Sequence, residues 1–193
     1  RRIVVTWDQI PQVVKDAIIS VEDQNFYDHW GIDFYGVARA SLKNLLAGRV
    51  VEGGSTLTQQ LSKNLFLTPE RSFRRKIQEA MLAIQTERVY TKQQILTLYC
   101  NLHFMGSGQY GFAAAAEYYF GKDIKDLNIE EAALLAPLPR SPINYSPINH
   151  PDRALLRRNY AIDRMVAERK ITVAQGEDAK LRPIKLAPKQ RPN

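Results

Sequence analysis

Residues 91–102 read TKQQILTLYCNL, and this stretch decides the fold class. It begins with the pattern of a capping box, in which a Thr side chain and a Gln three residues later each bond to the other's backbone at a helix start. The apolar positions that follow have the i, i+3, i+4, i+7 spacing of one helical face: Ile95, Leu98, Tyr99 and Leu102. The stretch therefore predicts a capped amphipathic helix that packs one face into a core.

The same kind of pattern continues in both directions from this helix. Upstream, we expect helices that begin at Pro11, Asp33, Ser55 and Ser72, the first of them ending near Glu22. Downstream, we expect helices at 111–120, from 128 to a stop at Pro137, at 152–170 and at 172–180. Only two short β-branched runs, 3–7 and 49–51, favour strands. The predicted fold class is therefore mainly α.

Three upstream helices carry an apolar stripe on one side, and we expect the stripe of the third to pack inward. The stripe of the first is Phe34, Val37, Ala38, Ser41 and Leu45; that of the second is Leu57, Leu61 and Leu65; and that of the third is Phe73, Ile77, Ala80, Met81 and Ile84.

Composition bounds the class of protein without naming its partner. The chain has 193 residues, 45% hydrophobic and 24% charged, which suits one domain with one core, or one core plus a small lobe, and excludes a disordered chain. The net charge of +7 indicates an anionic partner, whether nucleic acid, phosphate or an anionic membrane. The single cysteine, Cys100, allows no intrachain disulfide and is interpreted as a buried core thiol because no basic residue flanks it.

Neither end of the sequence looks like a natural terminus. No run of 18 apolar residues and no signal-peptide pattern is present in the sequence. The chain opens on Arg1-Arg2-Ile3, and residues 181–193 are rich in proline. We therefore expect one domain over 1–193 that comes from a longer protein, with 181–193 as a tail or linker.

The first segment that indicates chemistry is EDQNFYDHWGID, residues 22–33. Four acids and a histidine are interleaved with aromatic residues. A carboxylate that aromatic neighbours desolvate has a raised pKa, which suits a general acid or base near neutral pH. The plainer interpretation is a solvated helix end, with His29 as a structural hydrogen-bonding residue.

The second segment is EGGSTLTQQLSKN, residues 52–64. A Gly-Gly turn that leads into a helix presents free backbone N–H groups, which favour phosphate, although the spacing is not that of a nucleotide-binding loop. A polar band continues along the helix and can serve sugar hydroxyls and phosphate: Gln59, Gln60, Lys63 and Asn64. The alternative is an ordinary polar helix face, which would usually carry Glu and Lys.

The third segment is RRKIQE, residues 74–79. Arg75 and Lys76 precede Glu79 by four and three residues, so the three share one helical face. A surface ion-pair cluster would show the same spacing and stabilise the protein little. The functional interpretation is a carboxylate set among cations that receive a pyrophosphate.

These three segments, in this order, closely resemble the signature motifs of the peptidoglycan glycosyltransferases, glycosyltransferase family 51. Two further motifs match at 92–101, running on to Gly106 and Gly111, and at 131–139. The resemblance covers roughly residues 8–180. Cys100 stands where the family usually has Leu, and Pro137 where a small residue is usual; both fall in motifs that look structural.

The resemblance implies a lysozyme-like helical lobe and a smaller membrane-facing lobe. It implies polymerisation of lipid II by transfer of the lipid-linked glycan to the 4-hydroxyl of the lipid II sugar, with inversion and release of undecaprenyl pyrophosphate. The family's catalytic base falls on Glu22 and its second glutamate on Glu79. Its substrate-binding positions fall on Ser55, Thr56, Gln60, Lys63, Asn64, Arg75 and Lys76.

The resemblance also implies partners and a location. We expect lipid II, the nascent glycan strand, the membrane surface and inhibitors of the moenomycin type as partners, and no nucleic acid. A divalent cation, Mg²⁺ or Mn²⁺, is expected near Glu79. The expected parent is a class A bifunctional penicillin-binding protein with a transpeptidase domain. It would be anchored at the extracytoplasmic face of the bacterial membrane by an N-terminal transmembrane helix outside this chain.

Residue chemistry agrees with the resemblance. Inverting transfer needs one base, which Glu22 supplies, and a pyrophosphate leaving group needs charge neutralisation more than protonation. The segment 34–51 is expected to face the membrane, because it combines apolar residues with cations. Its apolar residues are Phe34, Tyr35, Val37, Leu42, Leu45 and Leu46, and its cations are Arg39, Lys43 and Arg49.

Two other functions are less favoured. A lysozyme-like hydrolase would share the helical lobe and an acid such as Glu22, but has no use for the cationic face around Glu79. A helical nucleic-acid-binding module would suit the net charge, but its basic residues should form one stripe with few acids. Here the basic residues are spread among 20 acids.

Overall fold

The computed structural model describes residues 1–66 and 70–188, and the regular structure of these residues is helical. The α-helices are α1 Gln12–Glu22, α2 Phe34–Ala47, α3 Leu57–Phe66, α4 Phe73–Val89, α5 Lys92–Leu102, α6 Phe112–Phe120, α7 Ile129–Leu135, α8 Pro151–Ala167 and α9 Val173–Leu181. Short 3₁₀ helices form at Trp7–Gln9, Ile124–Asp126 and Leu138–Arg140. The predicted mainly α class is confirmed.

Local capping fixes where most helices begin. In each case a side-chain oxygen accepts the backbone N–H three residues later, which satisfies one of the donors left open by the first helical turn. The capping residues are Asp33, Ser72, Thr91, Asn128 and Thr172. At Thr91 the predicted capping box is complete, because the Thr91 N–H donates to Gln94 Oε1 at 2.9 Å. The predicted helix starts at these residues are confirmed.

The chain forms two compact units. The first, larger unit comprises Arg1–Gln24 and the chain from Thr97 onward, and the second comprises Asn25–Leu96. The boundaries fall just after α1 and within α5.

The core of the first unit surrounds α7, whose residues from Glu130 to Leu135 are all buried. Helices α1 and α8 pack against α7, and α9 packs against α8. Burial of apolar surface is the main source of stability of such a bundle. Cys100 lies in this core, and burial raises the pKa of its thiol to about 12. The interpretation of Cys100 as an unreactive core thiol is confirmed.

The second unit is built on the packing of α3 against α4. Leu57 and Leu61 are fully buried, whereas Leu65 is exposed. The predicted inward stripe of α4 is wrong, and the apolar stripe of α2 is not its buried side. The α2 stripe is exposed, and α2 instead buries Gly36 and Ala40.

Helix α4 likewise buries Glu79 and Ala83, while Phe73, Ile77 and Met81 of its predicted inward stripe are exposed. Gly31 explains why small residues face inward here. A Cβ on Gly31 would lie 2.9 Å from the backbone nitrogen of Ile84 and 3.0 Å from the carbonyl of Ala83. Gly31 also has a φ of 120°, which side chains rarely adopt.

The two predicted strands do not form; in the described residues only isolated bridges occur, between Arg2 and Tyr110 and between Phe104 and Tyr110. Asparagine side chains satisfy the extended backbone instead. Asn101 bonds both ways with Val5, at 3.0 and 2.8 Å, and Asn44 Oδ1 accepts the N–H groups of Val51 and Glu52. A β-branched run without a partner strand can stay extended when side chains bond to its backbone N–H and C=O groups.

Candidate active site

Glu22 is the last residue of α1, and its side chain is completely buried within the first unit. Its Oε2 lies 3.0 Å from Nη2 of Arg140, whose side chain is one third exposed. Arg140 ends the 3₁₀ helix Leu138–Arg140, which follows the turn made by Pro137. The carboxylate that the resemblance assigns as the base is therefore held by a cation from a distant part of the chain.

The charge of Glu22 raises the pKa values of two neighbouring side chains. It is the main reason why the pKa of Arg140 is raised, so the guanidinium stays charged. The pKa of Tyr99 is raised well above its usual value, chiefly by burial and also by the charge of Glu22. Tyr99 therefore stays a neutral phenol, and Arg140 compensates the negative charge of Glu22.

Arg140 is the functional candidate that the sequence interpretation missed. Arg140 directly follows the fifth motif, 131–139, and this position is the only feature of the sequence that indicates a functional role for it. The aromatic residues of the first segment, Phe26, Tyr27 and Trp30, belong to the second unit. Phe26 is fully buried there and packs edge-to-face on Tyr27 and His29, with ring centroids 5.3 and 5.9 Å apart.

The rest of the first segment, residues 25–33, forms a loop stabilised by its own polar side chains. Asp33 caps α2 by accepting the Gly36 N–H at 2.9 Å, and Asn25 Nδ2 donates to its other oxygen at 3.0 Å. His29 Nδ1 accepts the Gly31 N–H at 3.0 Å. His29 therefore has the structural hydrogen-bonding role of the plainer interpretation.

A partly buried ion pair between Lys92 and Glu87 ties this loop to the helices of the second unit. Lys92 Nζ donates to Glu87 Oε1 at 2.7 Å and to the carbonyl of His29 at 2.6 Å, and it lies 4.7 Å from the ring centre of Phe26. Thr58 Oγ1 on α3 donates to the same Glu87 oxygen at 2.8 Å. One cation thus links the loop with α3, α4 and α5.

We expect Lys92→Met to destabilise the chain by about 2–3 kcal/mol, because it leaves the Glu87 carboxylate buried without its cation. Urea unfolding of the two proteins measures the difference. Lys125→Met removes an exposed lysine and should change the free energy of unfolding by no more than about 0.5 kcal/mol. Adding Glu87→Gln to Lys92→Met should recover part of the loss; equal stability of Lys92→Met and the parent chain would contradict the role of the pair.

The predicted cap of α3 is wrong by one residue. Thr56, not Ser55, makes the capping box: its Oγ1 accepts the Gln59 N–H at 3.1 Å, and its N–H donates to Gln59 Oε1 at 2.8 Å. Thr56 Oγ1 also donates to the Gly31 carbonyl at 2.7 Å. Gln59 is buried and has a structural role here, and its part in substrate binding stays a prediction.

Ser55 instead joins the face of α4 that the third segment predicts. Lys76 Nζ donates to Ser55 Oγ at 2.6 Å and to Glu79 Oε1 at 2.8 Å. The Glu79 side chain is 4% exposed and that of Lys76 is 55% exposed. The structure therefore brings together one residue of the second segment and two of the third, with the cation at the surface and the carboxylate beneath it.

The other predicted substrate residues of the second unit lie on α3 and α4. Lys63 and Asn64 are exposed in the last turns of α3, and Gln60 is half-buried. Arg75 Nη2 lies 3.7 Å from Glu70 Oε2. Gly54 has a packing role, because a Cβ there would lie 3.0 Å from Val37 Cα.

The donor atoms around Glu79 do not fit a metal ion held by protein ligands alone. Residues 1–66 and 70–188 contain no group of three or more His, Cys, Asp or Glu side chains that could hold one. The Glu79 carboxylate already accepts from the Lys76 ammonium.

A family model described as "Transglycosylase" matches residues 1–166. The chain belongs to the transglycosylase family. As a transglycosylase it is a peptidoglycan glycosyltransferase domain that polymerises glycan chains, so the predicted reaction class is confirmed and the hydrolase and nucleic-acid-binding alternatives are not favoured.

Relatives of this transglycosylase are similar over most of the chain. Penicillin-binding protein 1A of Aquifex aeolicus (strain VF5) is 51% identical over 184 residues, which cover 95% of this chain and 25% of the relative. Penicillin-binding protein 1A of Neisseria flavescens is 49% identical over 172 residues, covering 89% and 22%. The chain thus spans about a quarter of the length of the curated relatives that it matches.

A solved structure shows the same fold. The crystal structure of penicillin-binding protein 1A from Haemophilus influenzae has a TM-score of 0.59 and 26% sequence identity to this transglycosylase. The match covers 97% of this chain and 18% of the other. The fold class predicted from the resemblance, mainly α with a lysozyme-like helical lobe, is confirmed.

Proposed function

We propose that this transglycosylase transfers the lipid-linked glycan to the 4-hydroxyl of the lipid II sugar, with Glu22 as the general base. The observation that carries the proposal is the buried Glu22 carboxylate, fixed at the end of α1 by Arg140. Glu22 takes the proton of the attacking hydroxyl, the oxygen bonds to the anomeric carbon from the face opposite the pyrophosphate, and undecaprenyl pyrophosphate leaves. Arg140 acts as a positioning residue for the base.

The second unit supplies the positive charge that the leaving group requires. Lys76 is bonded to Ser55 and Glu79, which hold its ammonium in place at the surface. We assign Lys63, Arg75 and Lys76 to the pyrophosphate, with Glu79 orienting Lys76. A preorganised cation stabilises charge that develops on a leaving oxygen more than a mobile one does.

Incubation with labelled lipid II, followed by separation of polymer from monomer, tests the proposal. We expect polymer and free undecaprenyl pyrophosphate. Soluble sugar released from finished cell wall, without polymer, would instead indicate a hydrolase.

The predicted Mg²⁺ or Mn²⁺ is tested in the same assay. We expect EDTA to reduce polymer formation and added Mg²⁺ to restore it. Since the protein donors at Glu79 do not fit a resident metal, the requirement should scale with substrate concentration rather than with enzyme concentration. Full polymerisation in EDTA would contradict the need for a divalent ion.

We further propose that the second unit contacts the membrane. The predicted segment 34–51 exposes large apolar side chains, among them Tyr35 at 85% and Leu46 at 79%. The α4 residues Phe73, Ile77 and Met81 are exposed in the same unit. Exposed apolar surface of this extent indicates a contact surface. A membrane suits this surface, because the polyprenyl tail of lipid II lies in a bilayer.

Two predicted lipid-binding cations have another role. Arg39 Nε and Lys43 Nζ pair with Glu52 at 2.8 and 2.5 Å. Burial alone would raise the pKa of Glu52, but the hydrogen bonds from Lys43 and Arg39 outweigh it and the pKa is lowered. Arg49 stays exposed at the end of the segment. Membrane binding is therefore expected to depend on the apolar residues more than on Arg39 and Lys43.

We expect Leu42→Glu with Leu46→Glu to weaken cosedimentation with anionic liposomes by about tenfold or more, because two exposed apolar side chains are lost. Leu156→Glu with Val173→Glu is the matched control: it adds the same charge at exposed apolar positions of the first unit. The control should bind as the parent chain does. Equal losses in the two double variants would show that added charge, not the segment 34–51, governs binding.

The parent protein is proposed from the names and lengths of the relatives. Because the relatives named penicillin-binding protein 1A are about four times as long, we infer a longer parent that also carries a transpeptidase domain. We place it at the extracytoplasmic face of the cytoplasmic membrane, with an anchoring helix outside this chain. No helix of the described residues is long and apolar enough to cross a bilayer.

A further inference from the structure

The first unit contains a cavity of about 460 Å³, and none of the residues assigned to glycan transfer lines it. The cavity is bordered by the end of α6, by α7 and α8, and by the segment that follows α9. Ala187 holds this segment in place by donating its N–H to the Tyr119 carbonyl at 2.8 Å. The volume is in the range of sites for small ligands.

Arg158 lines the cavity and is almost completely buried, at 1% exposure. Its Nε and Nη2 donate to Asn159 Oδ1 at 3.2 and 3.1 Å, and Nη2 also donates to the Lys180 carbonyl at 3.3 Å. Within residues 1–66 and 70–188, no carboxylate forms an ion pair with Arg158 and no acceptor bonds to Nη1. Burial lowers the pKa of Arg158, against the opposing charge of Glu130. A guanidinium buried without a carboxylate is unfavourable, and an anion would offset this.

The two carboxylates of the lining are already engaged. Glu130 pairs with Arg182 at 3.3 Å, and Glu131 pairs with Lys122 at 2.9 Å while capping α7. Lys185 also lines the cavity, so four cationic side chains face two carboxylates. The cations of the lining outnumber its carboxylates by two, which favours an anionic ligand.

The apolar part of the lining restricts the ligand further. Phe120, Leu134 and Ile184 contribute apolar surface that a free inorganic anion would leave unused. We propose that this cavity binds a small carboxylate with an apolar body, its carboxylate bonded to Nη1 of Arg158 and its apolar part against these three side chains. A hydrogen bond from a guanidinium N–H to a carboxylate is charge-assisted and roughly twice as strong as one between neutral groups. The proposal does not depend on the glycosyltransferase function.

Titration of the ¹⁵N-labelled chain with four probes tests the proposal by NMR. Hexanoate represents a fatty acid and N-acetyl-leucine a peptide C-terminus; hexanamide and N-acetyl-leucinamide are their neutral counterparts. We expect at least one acid to shift the backbone amides of Phe120, Leu134 and Ile184, and to bind about tenfold or more tightly than its amide. The tighter acid identifies the source of the carboxylate. Equal binding of acids and amides, or shifts elsewhere, would overturn the proposal.

Three variants locate the carboxylate. Arg158→Gln should abolish the preference for the acid over the amide. Lys185→Glu changes an exposed residue at the cavity and should weaken acid binding severalfold even if Arg158→Gln fails to fold. Arg153→Gln removes an exposed charge from the same helix outside the lining and should bind as the parent chain does. Acid binding that is unchanged by Lys185→Glu, or lost equally in Arg153→Gln, would rule out the cavity.

Discussion

Glu22→Gln is expected to lower the rate of lipid II polymerisation by about 10²–10⁴-fold, the usual contribution of a general base. The amide has almost the same shape as the carboxylate but cannot take the proton of the attacking hydroxyl. Its oxygen can still accept from Arg140, which at one third exposure also reaches water. The variant should therefore fold and bind lipid II, and the loss should appear in turnover.

Initial rates with labelled lipid II, together with a binding measurement on the same variant, separate these effects. Glu117→Gln is the control, because Glu117 is a carboxylate of the same unit that pairs with Arg1 at 2.8 Å and is half exposed. It should polymerise at the parent rate. Turnover of folded Glu22→Gln within about threefold of the parent chain would remove Glu22 from the role of base.

Helix starts could be predicted from the sequence because capping is local. Asp33, Ser72, Thr91, Asn128 and Thr172 each bond to a group three residues away, so the pattern contains the whole interaction. The start of α3 shows the limit of such patterns. Ser55 and Thr56 are adjacent and chemically alike, and only the Gln three residues after Thr56 distinguishes the true cap.

The buried face of α4 could not be predicted because periodicity locates an apolar stripe but not what covers it. A helix whose stripe faces a membrane and a helix whose stripe faces a core have the same spacing. In α4 the buried side is formed by Glu79 and Ala83, and the apolar side by Phe73 and Ile77.

The ion pair between Glu22 and Arg140 could not be predicted from the sequence for a different reason. Arg140 and Glu22 belong to elements far apart in the chain, and no local spacing relates them. By contrast, the pairing of Lys76 with Glu79 follows from positions three apart on one helix, and the structure shows that pair. The part of the candidate site that lies within one helix was therefore predictable, and the part made by distant contacts was not.

Lys76→Met is expected to reduce polymerisation by about 10²–10³-fold, the effect of removing one preorganised group that stabilises developing charge. It removes one of the three cations that we assign to the pyrophosphate and leaves the buried Glu79 without the ammonium that pairs with it. The negative charge of Glu79 would then oppose the leaving group. We therefore expect binding of a phosphoglycolipid inhibitor of the moenomycin type to weaken together with turnover, and Lys76→Arg to retain part of both.

Two comparisons distinguish this role from a loss of stability. Lys180→Met also removes a lysine that bonds to carboxylates, Asp163 at 2.9 Å and Glu177 at 3.1 Å, but it does so in the first unit and should leave turnover unchanged. Thermal unfolding of Lys76→Met shows whether the variant is folded at the assay temperature. A cation that acts on pyrophosphate must change both turnover and inhibitor affinity, since both ligands present phosphate to it. If neither quantity changes in Lys63→Met, Arg75→Ala and Lys76→Met alike, the pyrophosphate is bound elsewhere.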